Sequence, residues 1–147
     1  MPKPRTTAAA AAATLALLAL AAPATAAQAR TTTANWLNVA VFAGSDDKQL
    51  IGRDSTTLHC ADDGSATGHP HAAQACRDLA AADGDIDRIA HRNGLCPMVY
   101  SAVTAKAYGT WNGRHVEYSK TFGNDCVMKA QTGAVFDLSA PIAEWVP

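Results

Sequence analysis

Residues 95–100 (Leu-Cys-Pro-Met-Val-Tyr) combine side chains that favour an extended backbone. Pro97 fixes its own φ at about −65° and disfavours helical backbone at the preceding Cys96. A disulfide from Cys96 would tie this strip to a distant part of the chain. An extended, tethered strip has the shape of a protease substrate, and much of the entropy that a free peptide loses on binding is removed beforehand. The residues therefore indicate substrate mimicry, in which the tethered ends of a cleaved bond favour religation over release.

Met98 is the side chain on which this interpretation depends. A methionine between Pro97 and Val99 is well placed to be presented to a partner, because both neighbours stiffen the backbone. Most methionines in soluble domains instead fill gaps in the core. The strip alone does not decide between these two interpretations.

Catalytic signatures are missing from the sequence. It contains no G-x-S-x-G nucleophile elbow, no H-E-x-x-H zinc motif and no glycine-rich phosphate loop. We therefore predict that the protein is not an enzyme and that it has neither catalytic residues nor a cofactor.

A cluster of metal-ligating residue types provides an alternative site. Within 17 residues the chain carries Cys60, His69, His71 and Cys76. Their spacing matches no familiar zinc pattern, and cysteines joined in a disulfide do not bind metal. We predict no metal site, and we keep as the alternative function a secreted metal- or ligand-binding module that uses His69, His71 and the cysteines.

The N-terminus has the three parts of a secretory signal peptide. Lys3 and Arg5 give a basic start, and the run Ala8–Ala22 is apolar but too short and too rich in alanine to span a bilayer. Small residues then offer cleavage after Ala26 or Ala29. We expect the mature protein to be extracellular and not associated with a membrane.

The charge of the mature chain argues against a nucleic-acid partner. Removing the signal peptide leaves 10 basic and 13 acidic residues, a formal charge of −3. These charges are spread along the chain without a basic stripe that could hold phosphates. The remaining chain of about 118 residues is long enough for one domain with one core.

Four cysteines predict two disulfides in an exported protein. The sequence alone permits three pairings. Pairing Cys60 with Cys76 and Cys96 with Cys126 would close loops of 17 and 31 residues. In the chain-entropy model each closure would stabilise the fold by roughly 3 to 4 kcal/mol.

Hydrophobic patterning predicts a single α+β domain in which an antiparallel sheet packs against helices. Alternating side chains and turn residues predict five strands, over residues 36–42, 55–60, 102–108, 114–122 and 134–138. Two helices are predicted between the second and third strands, over residues 72–82 and 86–91. Pro70 would begin the first helix, Gly84 would end it, and Asp85 would cap the second. The pair Asn112-Gly113 predicts a tight hairpin turn.

Several stretches taken together resemble the Streptomyces subtilisin inhibitor family, from about residue 39 to residue 138. They are CPMVY at 96–100, WNGRHVEY at 111–118, TFGNDC at 121–126 and VF at 135–136. The 30-residue step from Cys96 to Cys126 is also similar, as is the His69-Pro70 pair that leads into a helix carrying Cys76.

The resemblance implies a secreted inhibitor of subtilisin-like serine proteases, with chymotrypsin-like proteases as a second class of partner. Met98–Val99 would be the reactive bond, and Asn124 would support the loop from behind. The protease-binding loop would comprise Leu95, Cys96, Pro97, Met98, Val99 and Tyr100. The resemblance also implies the disulfides Cys60–Cys76 and Cys96–Cys126.

The family fold implied by the resemblance is a five-stranded antiparallel sheet with two short helices, and its members form homodimers through the sheet.

Residues 1–29 would be the signal peptide and 30–147 the inhibitor domain, with an inhibitor core over about 36–138. The sequence departs from the family at Ser101-Ala102, where an acidic residue and a proline are usual, and at residues 104–107, which are more polar and would weaken the dimer. The tail at 139–147 extends past the usual end.

Overall fold

The structure is a computed structural model that describes residues 34–45 and 51–141. The predicted signal peptide, residues 46–50 and the end of the C-terminal tail from residue 142 lie outside the described residues.

An antiparallel sheet of five strands forms the centre of the domain. In chain order the strands are β1 (Asn35–Ala43), β2 (Ile51–Cys60), β3 (Ala66–Thr67), β4 (Val103–Trp111) and β5 (Arg114–Phe122). Their order in the sheet is β3-β2-β1-β4-β5, and every neighbouring pair is antiparallel. The predicted α+β class and the five-stranded antiparallel sheet are confirmed.

Two α-helices and one 3₁₀ turn complete the described elements. Helix α1 (Ala72–Ala81) follows β3, and helix α2 (Asp125–Thr132) follows β5 directly. The 3₁₀ turn (Ile86–Arg88) comes shortly after α1, and the Asp85 side chain caps it by accepting a hydrogen bond from the Asp87 N–H. Within the described residues, neither helix reaches the length and hydrophobicity that a membrane span requires.

One face of the sheet forms the hydrophobic core. Because side chains alternate along a strand, β1 buries every second residue, namely Leu37, Val39 and Val41. On β5 the same alternation places Tyr118 and Phe122 in the core. The helices cover this face with residues that include Leu79 on α1 and Met128 on α2.

The hairpin between β4 and β5 turns at the predicted pair. Asn112 and Gly113 have φ values of 47° and 75°, so both residues have positive φ, as a type I′ turn requires. Helix α1 ends at Ala81, before the predicted stop at Gly84. Gly84 has a positive φ of 78°, and its α-carbon packs against Trp111 so closely that a β-carbon would clash.

The predicted strand at 134–138 is wrong. Residues 133–136 form a turn, and the side chains of Val135 and Phe136 pack in the core without joining the sheet. Two backbone groups of this segment form hydrogen bonds with side chains and not with a neighbouring strand. Ala134 N–H donates to Asp78 Oδ2, and Val135 O accepts from His69. An apolar run gave the pattern of a strand, but its hydrogen-bond partners come from distant residues.

The helix predictions were partly wrong. Helix α1 begins at Ala72, so Pro70 lies just before the helix and not at its first position. The predicted helix at 86–91 is limited to the 3₁₀ turn, because Ile89 returns to extended backbone. The second α-helix is α2 instead, and it was not predicted from the pattern, since its eight residues include Val127, Cys126 and Thr132, which are poor helix formers.

The buried His69 joins the start of α1 to the segment after α2. Its Nδ1 accepts the His71 N–H at 2.9 Å, so its other nitrogen, Nε2, carries the proton and donates to Val135 O at 3.0 Å. Burial lowers the pKa of His69, as does the nearby His71, and together they outweigh the opposing effects of Val135 O and Asp137. A second proton would sit on Nδ1, directly against the His71 N–H.

We therefore expect the free energy of unfolding to fall as the pH is lowered. The unfolded chain takes up a proton at the ordinary histidine pKa of 6.5, whereas folded His69 resists it, so the stabilisation is full above this pH and is lost as the pH falls toward the lower folded-state pKa. Denaturant unfolding at a series of pH values measures this dependence. His69→Gln should flatten it, whereas the control His91→Gln, which changes an exposed histidine, should not. An unchanged slope in His69→Gln would contradict the assignment.

Candidate functional site

The predicted protease-binding loop lies in an irregular segment, residues 90–102, that leads into β4. Met98 is as exposed as in an extended peptide, with a relative accessible area of 103%, and Leu95 has the same value. Val99 and Tyr100 are also exposed. The interpretation of Met98 as a core residue is therefore wrong, and the four side chains form an apolar, uncharged strip on the surface.

A disulfide fixes the loop immediately beside Met98. Cys96 is bonded to Cys126, which lies in the first turn of α2, and the two α-carbons are 5.6 Å apart. The other disulfide joins Cys60 at the end of β2 to Cys76 on α1. The structure thus has the two pairings that the resemblance implies, and all four cysteines are used.

Asn124 holds the loop from behind through its side-chain amide. The Nδ2 group donates to Pro97 O and to Val99 O, both at 3.0 Å. These two carbonyls flank Met98, so the backbone is held on both sides of that residue. The Oδ1 atom accepts the Val127 N–H at 2.9 Å and thereby caps α2.

Both ends of the loop are bonded to the same part of the chain. At the start, Arg92 N–H donates to Ala130 O on α2 at 2.8 Å. At the end, Ser101 N–H donates to Gly123 O at 2.8 Å, next to Asn124. Residues 123–130 therefore form a platform, which we call the β5–α2 platform, to which the loop and its flanks are tied by four hydrogen bonds and one disulfide.

The platform is fixed to the rest of the domain by packing and by charge. Met128 is fully buried in the core. Lys129 forms ion pairs with Asp125 and Asp137, each at 3.0 Å. Burial acts to lower the pKa of Lys129, but the two carboxylates outweigh it and the pKa is raised, so the ammonium stays charged.

Asp78 on α1 links the loop to the core. Its Oδ2 accepts the Ala134 N–H at 2.8 Å and lies 3.4 Å from the Arg92 guanidinium at the start of the loop. The sequence gives no indication that Asp78, Arg92 or the Ser101 backbone supports the loop. Their contacts join residues far apart in the chain and leave no local pattern.

The alternative metal or ligand site is not supported. Cys60 and Cys76 are bonded to each other. His69 uses both ring nitrogens in hydrogen bonds within the domain, and His71 Nε2 lies 3.0 Å from Ser139 O. Across residues 34–45 and 51–141, no group of three or more histidine, cysteine or acidic side chains is arranged to hold a metal ion.

The arrangement suits binding to the extended cleft of a protease. The exposed strip offers apolar side chains, and its backbone is already held in one conformation by a disulfide and by Asn124. Such a strip loses little entropy when it binds, which is the main cost that a flexible peptide would face. It needs no catalytic group of its own.

Known proteins have the same combination of sequence and fold. The model of the subtilisin inhibitor-like family matches residues 32–124. A relative from Streptomyces avermitilis is 52% identical over 110 residues, which cover 75% of this chain and 71% of the relative. A subtilase-type protease inhibitor from Streptomyces fradiae is 40% identical over 103 residues, covering 69% of this chain and 72% of the relative.

A solved structure gives the same result. Streptomyces caespitosus sermetstatin, in complex with Bacillus licheniformis subtilisin, is similar with a TM-score of 0.57 and 35% sequence identity, covering 70% of this chain and 97% of that chain. The chain belongs to the subtilisin inhibitor-like family.

Proposed function

We propose that this protein is a secreted inhibitor of subtilisin-like serine proteases and that it presents Met98–Val99 as a substrate-like reactive bond. The observation that carries the proposal is the position of Asn124, whose amide is bonded to the carbonyls on both sides of a fully exposed Met98. The relatives named as protease inhibitors, and the similar inhibitor solved with subtilisin, support the class of target.

The proposed mechanism follows from the rigidity of the loop. Met98 would enter the primary specificity pocket, Leu95, Cys96 and Pro97 would pair with one side of the cleft, and Val99 and Tyr100 with the other. If the protease cleaved Met98–Val99, the disulfide on one side and the Ser101 bond to Gly123 on the other would keep the new ends close together. Religation would then compete with release, so the protease would remain occupied.

The apolar side chains of the strip favour a target protease whose primary specificity pocket is also apolar. Met98 is long, unbranched and uncharged, which suits subtilisin, and chymotrypsin-like proteases form a second class of partner. A standard inhibitor interface buries about 1,600 Å², which is enough for tight binding when the loop is preorganised. Membership of an inhibitor family agrees with the prediction that the chain is not an enzyme.

The proposal includes export of the protein from the cell. Residues 1–29 have the composition of a signal peptide, and residues 30–147 would be the mature inhibitor, with its core over about 36–138. The two disulfides support an oxidising, extracellular location. N-terminal sequencing of protein recovered from culture medium would show whether cleavage follows Ala26 or Ala29.

The outer face of the sheet is the proposed homodimer surface. Trp36 and the exposed Tyr108 meet edge to face there, with ring centroids 6.1 Å apart. Within residues 104–107, Ala105 and Ala107 are directed to the core, and Thr104 satisfies its hydroxyl group internally through Gly44 O and Thr121 Oγ1. The polarity that this stretch would bring to the outer face therefore comes from Thr104 and Lys106 and not from all four residues. Sedimentation at micromolar concentration tests this association.

Titration of subtilisin with the purified protein tests the proposed function directly. We expect the activity to fall linearly to zero near one inhibitor chain per protease, because the preorganised loop binds tightly. Residual activity on a chromogenic peptide measures the titration. Full activity in the presence of micromolar protein would overturn the proposal.

Met98→Lys should redirect the inhibitor toward trypsin. A cation at this position matches the acidic pocket of trypsin and is costly in the apolar pocket of subtilisin, so the trypsin inhibition constant should fall by at least about 100-fold. The fold should be unchanged, because the Met98 side chain is fully exposed. Inhibition constants for both proteases measure the change.

Ala73→Lys provides the control, because it adds the same charge to an exposed position on α1. It should leave both inhibition constants close to those of the unmodified protein. Equal trypsin inhibition by the two lysine variants would mean that Met98 is not the specificity residue.

Asn124→Asp separates support of the loop from capping of the helix. The carboxylate can still accept the Val127 N–H, but it cannot donate to Pro97 O or Val99 O and its charge repels them. We expect subtilisin to cleave Met98–Val99 about 10-fold faster or more, while the free energy of unfolding changes by less than about 1 kcal/mol. Chromatography of the reduced protein after timed incubation measures cleavage.

Asn124→Ala is the companion variant, since it removes both roles. Its loop should be cleaved faster, and its free energy of unfolding should fall by about 1 kcal/mol more than that of Asn124→Asp because the cap is lost. Cleavage of Asn124→Asp at the unmodified rate would show that the amide does not support the loop.

A further inference from the structure

Met98 and Met128 are the two methionines of the described residues, and their environments are opposite. The Met98 side chain has a relative accessible area of 103%, whereas that of Met128 is 0%. The four cysteine sulfurs are in disulfides. Among the described residues, Met98 therefore presents the one thioether that a solute can reach without any opening of the fold.

We propose that Met98 is a redox modification site and that a peroxide-class oxidant weakens the inhibitor by converting this residue to the sulfoxide. The proposal rests on the proposed function, since it requires Met98 to enter the specificity pocket. In the reaction the O–O bond of the peroxide breaks, one oxygen atom forms an S=O bond with the thioether, and the other leaves with the proton, as water from hydrogen peroxide or as an alcohol from an organic hydroperoxide. The sulfur loses two electrons and the peroxide gains them, and the product is reversible by methionine sulfoxide reductases.

Oxidation of Met98 should affect protease binding and leave the fold unchanged, because of what surrounds this residue. The neighbouring backbone is held by the Asn124 amide and by the Cys96–Cys126 disulfide, and neither involves the thioether. Leu95, Val99 and Tyr100, the other exposed apolar side chains of the strip, have no sulfur to oxidise. The loop should therefore keep its conformation when Met98 is oxidised.

The effect on binding follows from the chemistry of the product. The sulfoxide is a polar group with a strong hydrogen-bond acceptor, and an apolar pocket gives it no partner. Burial of a polar group without a hydrogen bond is unfavourable, so the inhibition constant should rise by about 10- to 100-fold. Because Met128 is sealed in the core, mild oxidation should spare it and leave stability unchanged.

The test treats the mature protein with dilute hydrogen peroxide, removes the peroxide with catalase, and then measures the inhibition constant for subtilisin. Peptide mass spectrometry should find one added oxygen on the peptide with Met98 and none on the peptide with Met128. Treatment with MsrA and MsrB should restore both the mass and the inhibition. Met98→Leu, which has no sulfur at this position, is compared only with itself: every step should leave its own inhibition constant where it was before treatment.

The possible results are distinguishable. An unchanged inhibition constant with Met98 fully oxidised would overturn the redox proposal while leaving the proposed function intact. Oxidation of Met128 before Met98 would overturn the site assignment, as would an equal loss of inhibition by treated Met98→Leu. Absence of inhibition by the untreated protein would overturn the proposed function and the redox proposal together.

Discussion

The Asn124 side chain is the constraint on which the shape of the exposed loop depends. Its carboxamide makes three hydrogen bonds at once, two as donor to the loop and one as acceptor from the first turn of α2. Acceptance of the Val127 N–H fixes which end of the amide faces the loop, so both donors are directed to the Pro97 and Val99 carbonyls. The start of a helix and the shape of a surface loop are thus determined by one residue.

The core that stabilises the domain is separate from the exposed loop. The core lies between one face of the sheet and the two helices, and it includes the buried segment around Val135 and Phe136. The apolar strip of the loop lies outside this core and is connected to it through the β5–α2 platform. The platform is itself anchored by the buried Met128 and by the ion pairs of Lys129. Order in the exposed loop therefore comes from its bonds to elements that are themselves packed against the core.

Much of the fold could be predicted from the sequence wherever the information was local. The alternation in β5, the Asn112-Gly113 turn and the Asp85 cap depend on neighbouring residues, and all are present. Residues 134–138 and α2 could not be predicted in this way, because distant partners decide them: Asp78 and His69 bond the first, and a disulfide and Asn124 hold the second. The exposure of Met98 was undecided from its neighbours alone, and the supports at Arg92 and Ser101 left no signal at all.

The way in which the strip is held has an evolutionary consequence. Its order depends on backbone carbonyls, a disulfide and a neighbouring platform, and its exposed side chains at positions 95, 98, 99 and 100 contribute no packing to the interior. Substitutions at these positions should therefore be close to neutral for folding, while, under the proposed function, each would change which protease is bound. Descendants of such a gene could then adapt to new target proteases one residue at a time, without compensating changes elsewhere in the scaffold.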